Sequence, residues 1–304
     1  MDLSIPKILA EALPGVAVTN TAPLGAHSQL LALSDGQRVV LRAGDVSAEA
    51  PALELLTGEI DLPLPALVAA GEGWLLRSHL SGTPLPEALA GIDEAGRYAL
   101  GRKIGETLHR VHRIRAPRYG ALAGDDPLAS RDDMAYIVRR AEAGVAAARA
   151  CGAIDEELAE QLRAWFARQY AATNRAPALV HGSPRPEHIL VRAREGRPAL
   201  SGIVGWARAQ GWAPGWDHAR LAESFAGDAF FALRVGYAEA YEDLTELADE
   251  QVREYALLPY RLLLHLEALP AGDGDGRATS QRLLAALVTL SGRRDDEVDT
   301  TPAA

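Results

Sequence analysis

Apolar and polar positions alternate in two different ways along the 304 residues. Over roughly the first eighty, apolar residues come in short runs parted by turn chemistry. Gly15–Asn20 and Ser28–Ser34 read as strands, and Asp35-Gly36 makes a hairpin turn into Gln37–Arg42, where Val39, Val40 and Leu41 supply the next strand. Ala48–Thr57, rich in Ala, Leu and Glu, predicts the one helix of this region. Pro63 and Pro65 break the chain, Gly73–His79 predicts a further strand, and Ser81-Gly82-Thr83-Pro84 has the chemistry of a turn and a hinge.

Beyond that hinge the period becomes helical. Leu100, Ile104, Leu108 and Val111 form one stripe within Asp93–Arg115. Asp132–Cys151 and Asp155–Thr173 predict two more amphipathic helices, each opened by an aspartate suited to N-capping. Pro, Gly and β-branched runs interrupt the pattern over Ala176–Ala209. Helices resume from Asp217 to about Leu290, split by Ala271-Gly272-Asp273-Gly274-Asp275-Gly276. That segment lacks the ligand spacing ending in Glu of a calcium loop, so a flexible turn is the better reading. The expected organisation is a β-rich lobe over 1–80, a helical lobe over 81–291 and a frayed, charged tail over 292–304.

Composition narrows the partners. Hydrophobic residues make up 48% and charged residues 24%, as in ordinary globular chains. A net charge of −10 argues against nucleic acid as a partner, since phosphate contacts need a basic face. No apolar stretch reaches the length that spans a bilayer, and the N-terminus lacks the pattern of a secretory signal. Cys151 is the only cysteine, so neither an intrachain disulfide nor a cysteine zinc cluster is possible. A cytoplasmic location and no membrane partner are the expectation. Lys7 and Lys103 are the only lysines, so a phosphate-binding base must come mostly from arginine.

The chemistry concentrates in Leu179–Val191, LVHGSPRPEHILV, and Ser201–Leu221, SGIVGWARAQGWAPGWDHARL. Each half runs from apolar to polar and back, as strand, loop and strand would, presenting loops to a cleft. The first half resembles the catalytic loop of the aminoglycoside phosphotransferase and choline kinase superfamily, His-Gly-Asp-x-x-x-x-Asn before an apolar strand. The second is similar to the family's Ile-Asp-Trp/Phe, a Gly/Pro-rich loop and Asp-Leu-Ala. Further matches are the N-terminal hairpin, Val39–Arg42, Glu49, Leu62–Pro65 and the pair Leu108-His109. The resemblance implies an α+β, two-lobed protein kinase-like fold: a small antiparallel sheet with one helix, then a larger, mainly helical lobe.

It also implies what is missing. The family's catalytic aspartate falls on Ser183, and a serine hydroxyl is a poor base at neutral pH without an activating partner. The magnesium-binding asparagine falls on His188, although magnesium prefers oxygen ligands. The second magnesium ligand falls on Gly205, which has no side chain. Losing general-base help alone costs about 10²–10⁴ in rate. The resemblance places a phosphate-binding base on Arg42, with Glu49 as its partner in the small lobe, and a nucleotide-covering loop at Gly25-Ala26-His27-Ser28-Gln29. His181 and Asp217 match positions that hold the loop in place.

The remaining features have plain and sharp readings. Glu187 and His188 are a potential metal or acid–base pair, but neighbours on an extended segment point apart. Ser183 and His181 suggest a nucleophile and base, without an evident orienting group. Trp206, Trp212 and Trp216 fall within eleven residues and either pack the core or stack on a ligand. Glu239, Glu242, Asp243, Glu246, Asp249 and Glu250 read as a solvated acidic face. The expectation is a pseudokinase that binds a small molecule or a protein and requires no cofactor. The alternative is a small-molecule phosphotransferase, with ATP and magnesium, that uses non-standard groups.

Overall fold

The computed structural model describes residues 4–58, 61–169, 176–243, 250–272 and 277–286. A five-stranded antiparallel sheet comes first, formed by β1 (Val18–Gly25), β2 (Ser28–Leu33), β3 (Arg38–Ala43), β4 (Leu67–Gly71) and β5 (Trp74–Ser78) in the order β1-β2-β3-β5-β4. The Asp35-Gly36 turn is as expected, and the Asp35 carboxylate accepts from Gln37 N–H at 2.9 Å. Val39, Val40 and Leu41 are all buried because both faces of the sheet are covered. Helix α1 (Ile5–Ala12) lays Ile8 and Leu9 on Leu31, Leu33, Leu41 and Leu76, while α2 (Glu49–Leu56) covers the other face.

Three expectations need correction here. The small lobe has two helices rather than one, and Ile5, Ile8, Leu9 and Ala12 already carry the helical spacing that marks α1. The first strand runs over Val18–Gly25, not Gly15–Asn20. It is an edge strand exposed on most positions, so its Thr and Asn residues need no apolar alternation. Strand β4 follows Pro65 and returns through Glu72-Gly73 into β5.

The proposed hinge is itself structured. Thr83–Pro84 forms β6, which pairs with β8 (Ile189–Arg194) and so joins the three-stranded sheet β6-β8-β9, with β9 at Arg197–Ile203. A second small sheet pairs β7 (Ala178–Val180) with β10 (Gln210–Trp212). Around these lie α3 (Leu85–Ala88), α4 (Glu94–Val111), α5 (Asp133–Ala150), α6 (Glu156–Gln169), α7 (Gly215–Ser224), α8 (Phe231–Asp243), α9 (Glu250–Ala268) and a helix over 277–286. Asp93, Asp132 and Asp155 accept from backbone N–H groups three residues on, the capping role read from the sequence.

Helices α4 and α8 cross in near backbone contact. A Cβ on Gly101 would strike the Leu233 carbonyl, and one on Gly236 would strike that of Tyr98. One apolar layer then runs through both lobes, joining Leu53, Leu56 and Leu75 to Leu100, Ile104, Leu179 and Trp206. Among the described residues no helix is long and apolar enough to cross a membrane. The tail over 292–304, part of the Asp-Gly-Asp-Gly turn and Glu246 and Asp249 lie outside the described residues.

Candidate functional site

The loop from His181 to His188 leaves β7 and enters β8, and Asp217 fixes its start. Asp217 stands in the first turn of α7 and is fully buried. Its Oδ2 accepts from His181 N–H at 2.7 Å and its Oδ1 from Gly182 N–H at 2.8 Å. His112, at the C-terminal cap of α4, reaches Oδ2 through Nε2 at 3.0 Å. Burial on its own would raise the Asp217 carboxyl, but the His112 hydrogen bond, the two histidines and the His181 amide hold it below the usual carboxylate value. One carboxylate therefore ties α4, α7 and the loop together.

His181 is also fully buried and has both ring nitrogens engaged. Its Nε2–H donates to the Val204 carbonyl at 2.9 Å, and Nδ1 accepts from Ser183 N–H at 3.3 Å. That arrangement requires a neutral ring, and burial pushes its pKa down to about 4. With no lone pair left over, His181 cannot serve as a base for the Ser183 hydroxyl. The nucleophile–base pairing weighed from the sequence therefore fails, and both residues shape the loop backbone.

Ser183, His188 and Gly205 do come together. His188 Nδ1–H donates to the Ser183 carbonyl at 2.8 Å. The other side of its ring lies over Gly205, where an added Cβ would fall 2.6 Å from Cδ2 and 2.7 Å from Nε2. Gly205 has φ +85°, a conformation that few residues with side chains adopt. The imidazole thus occupies the room that a side chain at 205 would need. Burial lowers the His188 pKa as well.

These groups do not suit magnesium. Ser183 offers one neutral hydroxyl, Gly205 offers nothing, and the His188 ring is a nitrogen donor packed against the glycine. Both nearby buried carboxylates are engaged, Asp217 by the loop amides and Glu49 by arginines. Among the described residues no three His, Cys, Asp or Glu side chains converge to hold a metal ion. Glu187 is exposed while His188 turns inward, so the two do not act as a pair of ligands.

Across the cleft, Arg42 on β3 donates to Glu49 at 2.7 Å, and Arg77 on β5 approaches the other oxygen at 3.2 Å. Strand register places both arginines on the face that looks at α2. Glu49 is only 1% exposed, so its carboxylate is buried and the bridge is part-buried rather than a loose surface one. Helix α2 also packs on the turn Trp206–Arg208, and the Glu49 charge reaches His188. Arg42 and Glu49 therefore sit over the same loop as Ser183. The Gly25–Gln29 hairpin roofs a recess of about 360 Å³ lined by Thr21, Pro23, His27 and Leu41.

The tryptophans resolve in favour of packing. Trp206, Trp212 and Trp216 are each 0% exposed. Trp212 and Trp216 stack with centroids 4.6 Å apart, and Trp216 Nε1–H donates to the Gly182 carbonyl at 3.2 Å. Guanidinium groups of Arg140 and Arg220 stand 4.5 Å and 4.8 Å from the Trp216 ring. Arg185, Arg208 and Arg220 carry no local signal in the sequence, because single arginines do not stand out in a chain whose basic residues are nearly all arginine.

Comparison with known proteins agrees with this architecture. The model of the phosphotransferase enzyme family matches residues 33–255. A Thermobifida fusca protein described as a fructosamine-3-kinase superposes with TM-score 0.69 at 17% identity, covering 94% of this chain and 99% of that one. A thermostable mutant of aminoglycoside phosphotransferase APH(4)-Ia, solved with ADP and hygromycin B, gives TM-score 0.65 at 17% identity, covering 94% and 98%. ADP-bound aminoglycoside phosphotransferase APH(2'')-Ib gives 0.63 at 14% identity, covering 95% and 97%. No curated protein matches the chain at a significant level.

Proposed function

The chain belongs to the phosphotransferase enzyme family, and from that premise we propose that it is a pseudokinase: a member that has given up magnesium-dependent phosphoryl transfer and uses its cleft for binding. Its partner on this reading is a small molecule or a protein, in the cytoplasm, and neither nucleic acid nor a membrane. The observation that carries the reading is the His188 ring packed over Gly205, in the room that a metal-binding side chain at 205 would need, with no metal-holding cluster among the described residues. Two of the three positions that would weaken catalysis, His188 and Gly205, interlock sterically, and the His188 ring is held to the Ser183 backbone, while the Asp217 scaffold that shapes the loop persists. General-base help is worth about 10²–10⁴ in rate, and metal stabilisation of the transferring charge several kcal/mol more.

A second reading, a small-molecule phosphotransferase working through non-standard groups with ATP and magnesium, draws on the intact Arg42–Glu49 pair. A thermal-shift titration with ATP and ADP, each with and without magnesium, separates the two. A ligand at a hundred times its Kd stabilises the native state by about 2.7 kcal/mol, enough to read as a clear rise in Tm. The pseudokinase reading expects no magnesium-dependent stabilisation by ATP. A shift that appears only when both are present would sink it and favour the enzyme.

A further inference from the structure

We infer that the ligand of this cleft carries a phosphate group, held without a metal by Arg185, Arg208 and Arg220 on the large-lobe side of the Ser183 loop. The inference gives a chemical class to the binder proposed above and in that sense rests on it.

The three arginines come from three elements that meet at the loop. Arg185 is exposed on the loop itself, two residues past Ser183. Arg208 is exposed at the end of the short turn Trp206–Arg208, whose backbone abuts the loop so closely that a Cβ on Gly182 would run into the Arg208 carbonyl. Arg220 projects from α7 over the Trp216 ring at 4.8 Å, and Trp216 in turn donates to Gly182. Loop, turn and helix are thus locked in register by contacts that do not involve the guanidinium groups.

Their charges are not balanced. Among the described residues none of the three makes an ion pair, and the buried Nε of Arg220 has no hydrogen-bond partner. Glu267 faces this region but is already held by Arg140, whose Nε and Nη2 reach its two oxygens at 2.5 Å and 3.1 Å. Asp217 is turned into the core, and Glu187 is exposed to solvent. Burial pulls the Arg220 guanidinium down to about 10; Glu267 opposes this, and the charges of Arg208, Arg140 and Arg185 add to it. In a chain of net charge −10 such a concentration is selective for an anion. Forked guanidinium donors match a tetrahedral phosphate bidentately, and one of the three lies over the flat Trp216 face.

The experiment is a titration of the full chain by calorimetry at low salt, without metal, using pyrophosphate and, separately, citrate. Arg185→Ala and Arg208→Ala are the variants, because both side chains are exposed and an unchanged Tm without ligand confirms that each still folds. Pyrophosphate is expected to bind, and each variant to weaken it by about tenfold, the loss of one charged hydrogen bond. Undetectable pyrophosphate binding at millimolar concentration, or binding untouched by both variants, overturns the site; citrate binding more tightly than pyrophosphate overturns its assignment to phosphate. ATP with magnesium, run on the same samples, tests the pseudokinase reading separately. Magnesium-dependent ATP binding alongside arginine-dependent pyrophosphate binding would end that reading and leave the anion site standing.

Discussion

At the scale of single residues, His188 and Gly205 act as one unit. The imidazole fills the volume over the glycine and donates to the Ser183 carbonyl. Gly205→Asp alone must therefore push a carboxylate into the ring from a strained φ, at a cost of about 2–3 kcal/mol. His188→Asn shortens the obstructing side chain and keeps an N–H donor. In the double variant the loss should be partly recovered, with a coupling of about 1 kcal/mol or more. Denaturant melts of the two single variants and the double test this, and strict additivity would show that the two positions are independent.

At the scale of elements, the close crossing of α4 and α8 rests on glycine. Gly101→Ala and Gly236→Ala each set a methyl against a partner carbonyl, so the helices must separate. The expected cost is about 2 kcal/mol apiece, read as a lower Tm; an unchanged Tm would mean that the crossing is looser than described. The helices themselves were legible, because Leu100, Ile104, Leu108 and Val111 state the α4 stripe and Asp93 states its start. Elements whose partners lie far off in sequence were harder to see. Polar edge strand β1 shows no alternation, β4 is a short run hidden behind Pro63 and Pro65, and β6 exists only because β8 pairs with it. The order of motifs made the Ser183, His188 and Gly205 positions readable, and Arg42 with Glu49. What could not be read was the coupling between them, since ring-over-glycine packing and the meeting of Arg185, Arg208 and Arg220 depend on tertiary contact.

At the scale of the molecule, one apolar layer crosses from the sheet lobe into the helical lobe, and buried histidines sit within the larger one. His181 is held down to about 4 and His218 to about 3 from an ordinary 6.5, each mainly by burial. His218 packs against Tyr237, Tyr241 and His112, with Asp217 and His109 close enough to bias its charge. Both rings are neutral when folded and take up protons when unfolded. Their contribution is full above pH 6.5 and falls away as pH drops towards 4 and then 3. Asp217, depressed below its ordinary 3.8, extends the loss to still lower pH. The urea midpoint should fall continuously from pH 7 to pH 4, and a flat profile over that range would contradict the neutral, buried assignment of these histidines.

The tryptophan arrangement has an optical consequence. Trp74, Trp165, Trp206, Trp212 and Trp216 are all buried, so the native chain emits from dry indoles alone and every fluorophore reddens when water reaches it. Trp212 and Trp216 are stacked closely enough to share excitation, and Trp216 carries two cations on its faces. Movement of Arg220 alters the field on that ring directly. The protein carries an intrinsic fluorescent reporter beside its own cleft, without any label attached.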